Sequence, residues 1–256
     1  MRIRIIPCLQ LADSRLVKTK QFKIHQYIGD PINTVKIFNE LEADELCFLD
    51  ITATTERRTP DIALLQQIAD ECFMPLAYGG GISDFETARK LFPIGFEKIV
   101  INTAAIKNPH LIKKLAEHYG SQAVIVSIDI KKNLLGRYEV RTENGREKVN
   151  QHPVAWAQKA EQLGAGEILL TSIDREGTWS GYDITLTKKI AESVGIPVIA
   201  NGGAGSVQDI IEVIQKGSAS AVALSSMLLF QKKGMGVLIN YPLAVIRKAL
   251  TEMCQQ

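Results

Sequence analysis

The sequence predicts an α/β protein folded as a single (β/α)8 TIM barrel built from two duplicated half-barrels. Three observations carry this. Short β-branched or apolar runs alternate eight times with amphipathic helical stretches, every crossover being of βαβ length. The 256 residues are the usual size of one such barrel. The two halves also repeat each other at an offset of 122 residues. Pro75-Leu76-Ala77-Tyr78-Gly79-Gly80-Gly81 reappears as Pro197-Val198-Ile199-Ala200-Asn201-Gly202-Gly203, and Leu41-Glu42-Ala43-Asp44-Glu45-Leu46 as Leu163-Gly164-Ala165-Gly166-Glu167-Ile168. A repeat unit of half the chain excludes a solenoid, and two four-stranded halves close naturally into eight.

In chain order the strands are predicted at Arg4 to Cys8, Glu45 to Asp50, Pro75 to Tyr78, Lys98 to Asn102, Ala123 to Asp129, Glu167 to Ser172, Pro197 to Asn201 and Ala219 to Ser225. Helices are predicted near 31–42, 60–71, 84–92, 108–118, 153–163, 184–194, 206–216 and 242–253. Two insertions interrupt the alternation. Residues 10–30 read as a long loop with a basic cluster of Lys18, Lys20 and Lys23. Residues 132–150 read as a hairpin, with Tyr138 to Thr142 alternating before an Asn144-Gly145 primed turn. They follow the first and fifth strands, which places both on the C-terminal face where barrel active sites are built. With no linker or low-complexity tract, residues 1–256 are expected to form one domain.

Composition narrows the function classes. The chain is 46% hydrophobic and 23% charged, ordinary for a globular protein with one large core. Its net charge of +2 argues against nucleic-acid and acidic-membrane partners. Cys8, Cys47, Cys72 and Cys254 show no C-x-x-C spacing and suit buried, reduced thiols. The four histidines form no i, i+4 pair, so neither a metal nor another cofactor is expected. No apolar run reaches 18 residues, and the stretch before Pro7 is too short for a signal peptide, so a cytoplasmic protein is expected.

Two phosphate-cradle signatures fall on the C-terminal face, related by the repeat. Gly202-Gly203-Ala204-Gly205 after the seventh strand pairs with Ser225-Ser226 after the eighth. Gly79-Gly80-Gly81 after the third pairs with Asn102-Thr103-Ala104 after the fourth. Glycines let backbone N–H groups approach an anion, and a helix N-terminus adds its dipole. Either run, taken alone, is also explained by the tight turn that a βα connection needs. Two cradles facing each other across the mouth suggest an elongated ligand with a phosphate at each end.

Leu49-Asp50-Ile51-Thr52-Ala53, Tyr78-Gly79-Gly80-Gly81-Ile82, Ile101-Asn102-Thr103-Ala104-Ala105, Gly120-Ser121-Gln122-Ala123-Val124 and the run Gly166 to Thr178 carry a resemblance from Arg4 to about Phe230. The chain resembles the cyclase subunit of imidazole glycerol phosphate synthase. That resemblance implies a barrel whose N-terminal face docks a glutaminase subunit, with ammonia passing through the barrel core to a bis-phosphorylated ribulosyl aminoimidazole substrate. It implies an ammonia gate at Arg4, Glu45, Lys98 and Glu167, four charges at or near the starts of their strands. A salt-bridge layer with no transport role would use the same residues. Gln122 and Glu97 are expected to face the glutaminase. The phosphate-binding set implied is Lys18, Gly80, Gly81, Asn102, Thr103, Gly177, Thr178, Gly202, Gly203, Ser225 and Ser226, with Lys18 closing over the substrate.

The family's catalytic pair is two aspartates ending the first and fifth strands. Asp129 matches the second. Where the first is expected, the chain has Gln10, which has no proton to exchange near neutral pH. Losing one carboxylate of such a pair removes about 10²–10⁴-fold in rate. Asp13 lies roughly 10 Å further along an extended segment, too far to substitute. Glu176 replaces a shorter aspartate. Lys20 to Lys23 and Tyr27 to Asn33 also depart, and resemble a paralogous clade associated with glycosyl amidation in surface-polysaccharide synthesis, which is linked to an N-acetyl sugar amidotransferase. Three readings follow: an ammonia-relaying barrel of a sugar-amidation system, an authentic histidine-pathway cyclase, or a non-catalytic activator of the glutaminase. Gln10→Asp is expected to restore cyclase function under the first.

Overall fold

The computed structural model describes residues 3–253, and Cys254 lies outside them. Eight parallel strands close into a barrel: β1 (Arg4–Ala12), β4 (Leu46–Asp50), β5 (Leu76–Gly79), β6 (Lys98–Ile101), β7 (Val124–Lys132), β10 (Glu167–Ser172), β11 (Val198–Asn201) and β12 (Ala221–Leu224). Closure comes from β1 pairing with β12, Arg4 opposite Ala221, and from β7 pairing with β10, Glu167 opposite Ile125. The connecting helices are α1 (Pro31–Glu40), α2 (Ile62–Glu71), α3 (Phe85–Arg89), α4 (Thr103–Lys107), α5 (His110–Tyr119), α6 (Pro153–Gln162), α7 (Ile184–Ala191), α8 (Val207–Gln215), α9 (Ser226–Leu229) and α10 (Leu243–Met253). Asp30, Asp61, Asp84, Asp183 and Ser206 each cap a helix by accepting from a backbone N–H three residues on. The helix predicted at 84–92 is cut short: Pro93 cannot continue it, and a 3-10 turn follows at Phe92–Ile94.

Burial separates two apolar regions. The larger fills the space between strands and helices. The smaller is the lumen, where Ile6, Cys8, Cys47, Ala77, Val100, Ile125, Leu169, Ile199, Ala221 and Ala223 point inward. Period-two alternation along the strands produces both, because every barrel strand is buried on two faces.

The segment 10–30, expected to be an open loop, is instead a hairpin of β2 (Arg15–Lys20) and β3 (Ile24–Gly29), with β2 running antiparallel to the upper end of β1. Its turns use Asp13-Ser14 and Gln21-Phe22, all with φ between 49 and 58°. Without glycine or Asn-Gly, these left-handed positions give no turn signal in the sequence. The second insertion is the expected hairpin, β8 (Tyr138–Thr142) and β9 (Glu147–Lys148). Asn144 and Gly145 take φ of 54° and 78°, and the Arg146 N–H donates to the Glu143 carbonyl at 3.2 Å. Each half-barrel thus carries a hairpin on its first strand.

Candidate functional site

The C-terminal mouth holds a cavity of about 710 Å³ lined by Gln10, Gly80, Gly81, Asn102, Thr103 and Asp129. One predicted cradle and both members of the expected catalytic pair therefore converge there. Gly80 (φ +118°) has to be glycine, because a Cβ would run into the Asp50 carbonyl. Sequence reasoning missed most of the charged lining of this cavity, where Asp50, Glu143 and Glu147 stand beside Asp129 and a set of cations. Arg57, Arg58, Lys107 and Arg146 all border it. Each follows a barrel strand, which is the signal that could have placed them on this face.

Asp129 is 8% exposed and receives the Asn102 amide at 2.7 Å and the Ser127 hydroxyl at 3.1 Å. Burial lifts its carboxyl to about 6, although Ser127, Thr171 and Asn102 donate to it. A carboxyl balanced there can give or take a proton near neutrality. The same shift sets a pH dependence of stability. The folded state holds this proton more tightly than the unfolded chain, so stability falls as pH rises from about 4 to about 6. Asp129→Asn is expected to flatten that slope in urea unfolding measured across pH 4–7.

The second cradle is arranged differently. Lys18, Glu176, Gly177, Gly202, Gly203, Ser225 and Ser226 surround a space of only about 10 Å³, room for one water. Gly203 (φ +112°) lies so close to Gly181 that a Cβ would strike its carbonyl. Lys18 was expected to reach over a substrate. It is 4% exposed and forms a buried ion pair with Glu176. The Gln10 amide donates to Glu176 Oε1 at 3.0 Å, and its carbonyl accepts from the Thr19 N–H at 2.8 Å. Ser225 Oγ is buried with no hydrogen-bond partner among the described residues. Thr178 stays outside, its hydroxyl donating to the Arg175 carbonyl at 2.6 Å. Asp13 sits on an exposed turn.

At the opposite end of the barrel four charges form a closed alternating ring. Arg4 donates to Glu45 at 2.8 Å and to Glu167 at 2.7 Å; Lys98 donates to Glu45 at 3.0 Å and to Glu167 at 2.9 Å. Glu97 and Gln122 are exposed at this N-terminal end. Among the described residues no group of three or more His, Cys, Asp or Glu is placed to hold a metal ion, and no helix is long and apolar enough to cross a membrane.

Residues 4–233 match the family model described as histidine biosynthesis protein. A protein of Pseudomonas aeruginosa, provisionally named imidazole glycerol phosphate synthase subunit hisF2, is 48% identical over 94% of this chain and 96% of its own length. A Leptospira borgpetersenii protein, provisionally named as the HisF subunit of the same synthase, is 46% identical over 98% and 99%. The HisF subunit of Alkaliphilus metalliredigens is 45% identical over 90% and 91%.

Proposed function

This chain belongs to the histidine biosynthesis protein family, and from that premise we propose that it is the ammonia-receiving synthase subunit of a glutamine amidotransferase pair. In this reading it relays ammonia to the amidation of an N-acetyl sugar in surface-polysaccharide synthesis. The observation that carries the reading is Gln10. Where the family's first aspartate belongs stands an amide whose two polar atoms are already engaged by Glu176 and Thr19. It offers the reacting centre no proton.

The intact charge ring supports continued receipt of ammonia, since all four charges of the implied gate are present and paired at the N-terminal end of the apolar lumen. Phe73 supports a partner on that face. It is 87% exposed, on the loop joining α2 to β5, where the Phe73 N–H donates to Asn39 at 3.2 Å and the Asn39 amide donates to the Glu71 carbonyl at 2.6 Å. A rigidly presented, unsupported aromatic is a fitting anchor for a glutaminase subunit.

The histidine-pathway cyclase is the second reading, favoured by Asp129 and its carboxyl titrating near 6. Complementation decides between them. Expressed in a histidine auxotroph lacking its cyclase, with or without a cognate glutaminase, this protein is expected to give no growth. Robust growth would make it the histidine enzyme.

A further inference from the structure

We propose that this protein recognises a ligand bearing a single phosphate, seated at Gly80, Gly81 and Thr103, because its own Lys18–Glu176 pair fills the opposite cradle. The inference rests on the reading of the barrel mouth as the ligand site, and it deepens that reading by naming the ligand class.

The two cradles are not equivalent. The β2–β3 hairpin lies across the mouth and divides it. At its tip the Gln21 N–H donates to the Glu176 carbonyl at 2.9 Å, and the Gln21 amide donates to the Asp174 carbonyl at 2.7 Å. Phe22 packs against the turn of the other hairpin: a Cβ on Gly145 would lie 3.2 Å from both Phe22 and Ile173. The two insertions thus meet over the mouth. On one side remains a cavity of about 710 Å³, on the other about 10 Å³. A phosphate is several times larger than a water and does not fit the smaller space.

Charge reinforces the size argument. Among the described residues lining the smaller space, Lys18 is the only lysine or arginine, and Glu176 already holds it. A phosphate placed there would meet the Glu176 carboxylate in a buried setting, where like charges repel strongly. Gln10 makes the arrangement tolerable. A neutral amide donates to Glu176 where an aspartate would add a second carboxylate. Gln10, Lys18 and Glu176 therefore act together as an internal occupant of the cradle. Across the mouth, Arg57 and Arg146 border open space beside Thr103, and Lys107 lies there paired with Glu143 at 2.7 Å.

The test is a titration of the full-length protein with ribose 5-phosphate and ribulose 1,5-bisphosphate, followed by calorimetry and by backbone amide NMR. The expected affinities differ by less than about tenfold, the step that corresponds to about 1.4 kcal/mol. The expected shifts fall on the Gly80 and Gly81 amides and spare Gly202 and Gly203. A bisphosphate preference of about tenfold or more, shifts at Gly202 and Gly203, or no binding of either probe would overturn the proposal. Glu176→Gln, which frees Lys18, is expected to raise the bisphosphate preference by about tenfold. An unchanged ratio in a folded variant counts against the internal-occupant argument, and should that variant misfold, the wild-type titration still decides. The titration counts phosphates, whereas histidine complementation reads the pathway. Either can fail alone, so the two failures are distinguishable.

Discussion

Gln10→Asp is expected to destabilise the protein by about 3 kcal/mol and to leave it without cyclase activity. The sequence alone suggests the opposite, because restoring an aspartate restores the family's pair. The structure explains the reversal. Gln10 donates to Glu176 Oε1 at 3.0 Å, so aspartate removes a buried hydrogen bond to a charged group and sets one carboxylate against another. The repulsion raises the new carboxyl's folded-state pKa. The repulsive part of the penalty is therefore smallest at pH below about 4, where aspartate is largely protonated in both states, and grows as pH rises. Urea midpoints measured at pH 4 and pH 7 separate this from a simple packing defect, which would be equal at both. In Gln10→Asp with Glu176→Gln the donor and acceptor exchange places, Lys18 keeps a carboxylate neighbour, and most of the loss is expected to return. A single Gln10→Asp variant as stable as wild type would show that the buried network does not hold the hairpin.

The barrel was legible because it rests on local patterns. Short apolar runs, amphipathic helical stretches and the glycine runs are each visible within a dozen residues, and their order along the chain gives the barrel. Asn144-Gly145 announced the second hairpin for the same reason. The first hairpin was invisible because Asp13, Ser14, Gln21 and Phe22 occupy left-handed positions that ordinary side chains rarely adopt. The glycine cradles were legible as chemistry, but the closure of one of them was not. That depends on Lys18 meeting Glu176, 158 residues away, and on Gln10 bridging the same carboxylate from 166 residues away. No periodicity encodes such a contact. Residue identity did leave a trace: Gln10 and Glu176 stand where the resemblance implied aspartates, and the structure joins these two positions in one hydrogen bond.

Lys98→Ala carries the other large expected effect, and its two consequences separate structure from transport. Glu45 and Glu167 are 3% and 7% exposed, and each is held by both Arg4 and Lys98. Removing Lys98 leaves two buried carboxylates sharing one guanidinium. Breaking a buried pair from one side costs about 3–5 kcal/mol, and stability is expected to fall by an amount of that order. The loss should shrink toward acid pH, because unpaired carboxylates take up protons and their repulsion ends. Lys98→Arg keeps the charge and is expected to recover much of the stability. The gate assignment demands something further. With glutamine as nitrogen donor and the glutaminase subunit bound, product formation per glutamine hydrolysed is expected to fall at least about tenfold in Lys98→Ala. The same variant supplied with ammonium salts at the C-terminal face should keep its activity, because that route bypasses the ring. A variant that loses stability yet keeps glutamine coupling intact would reduce the ring to a salt-bridge layer, and the ammonia path through the lumen would fall with it.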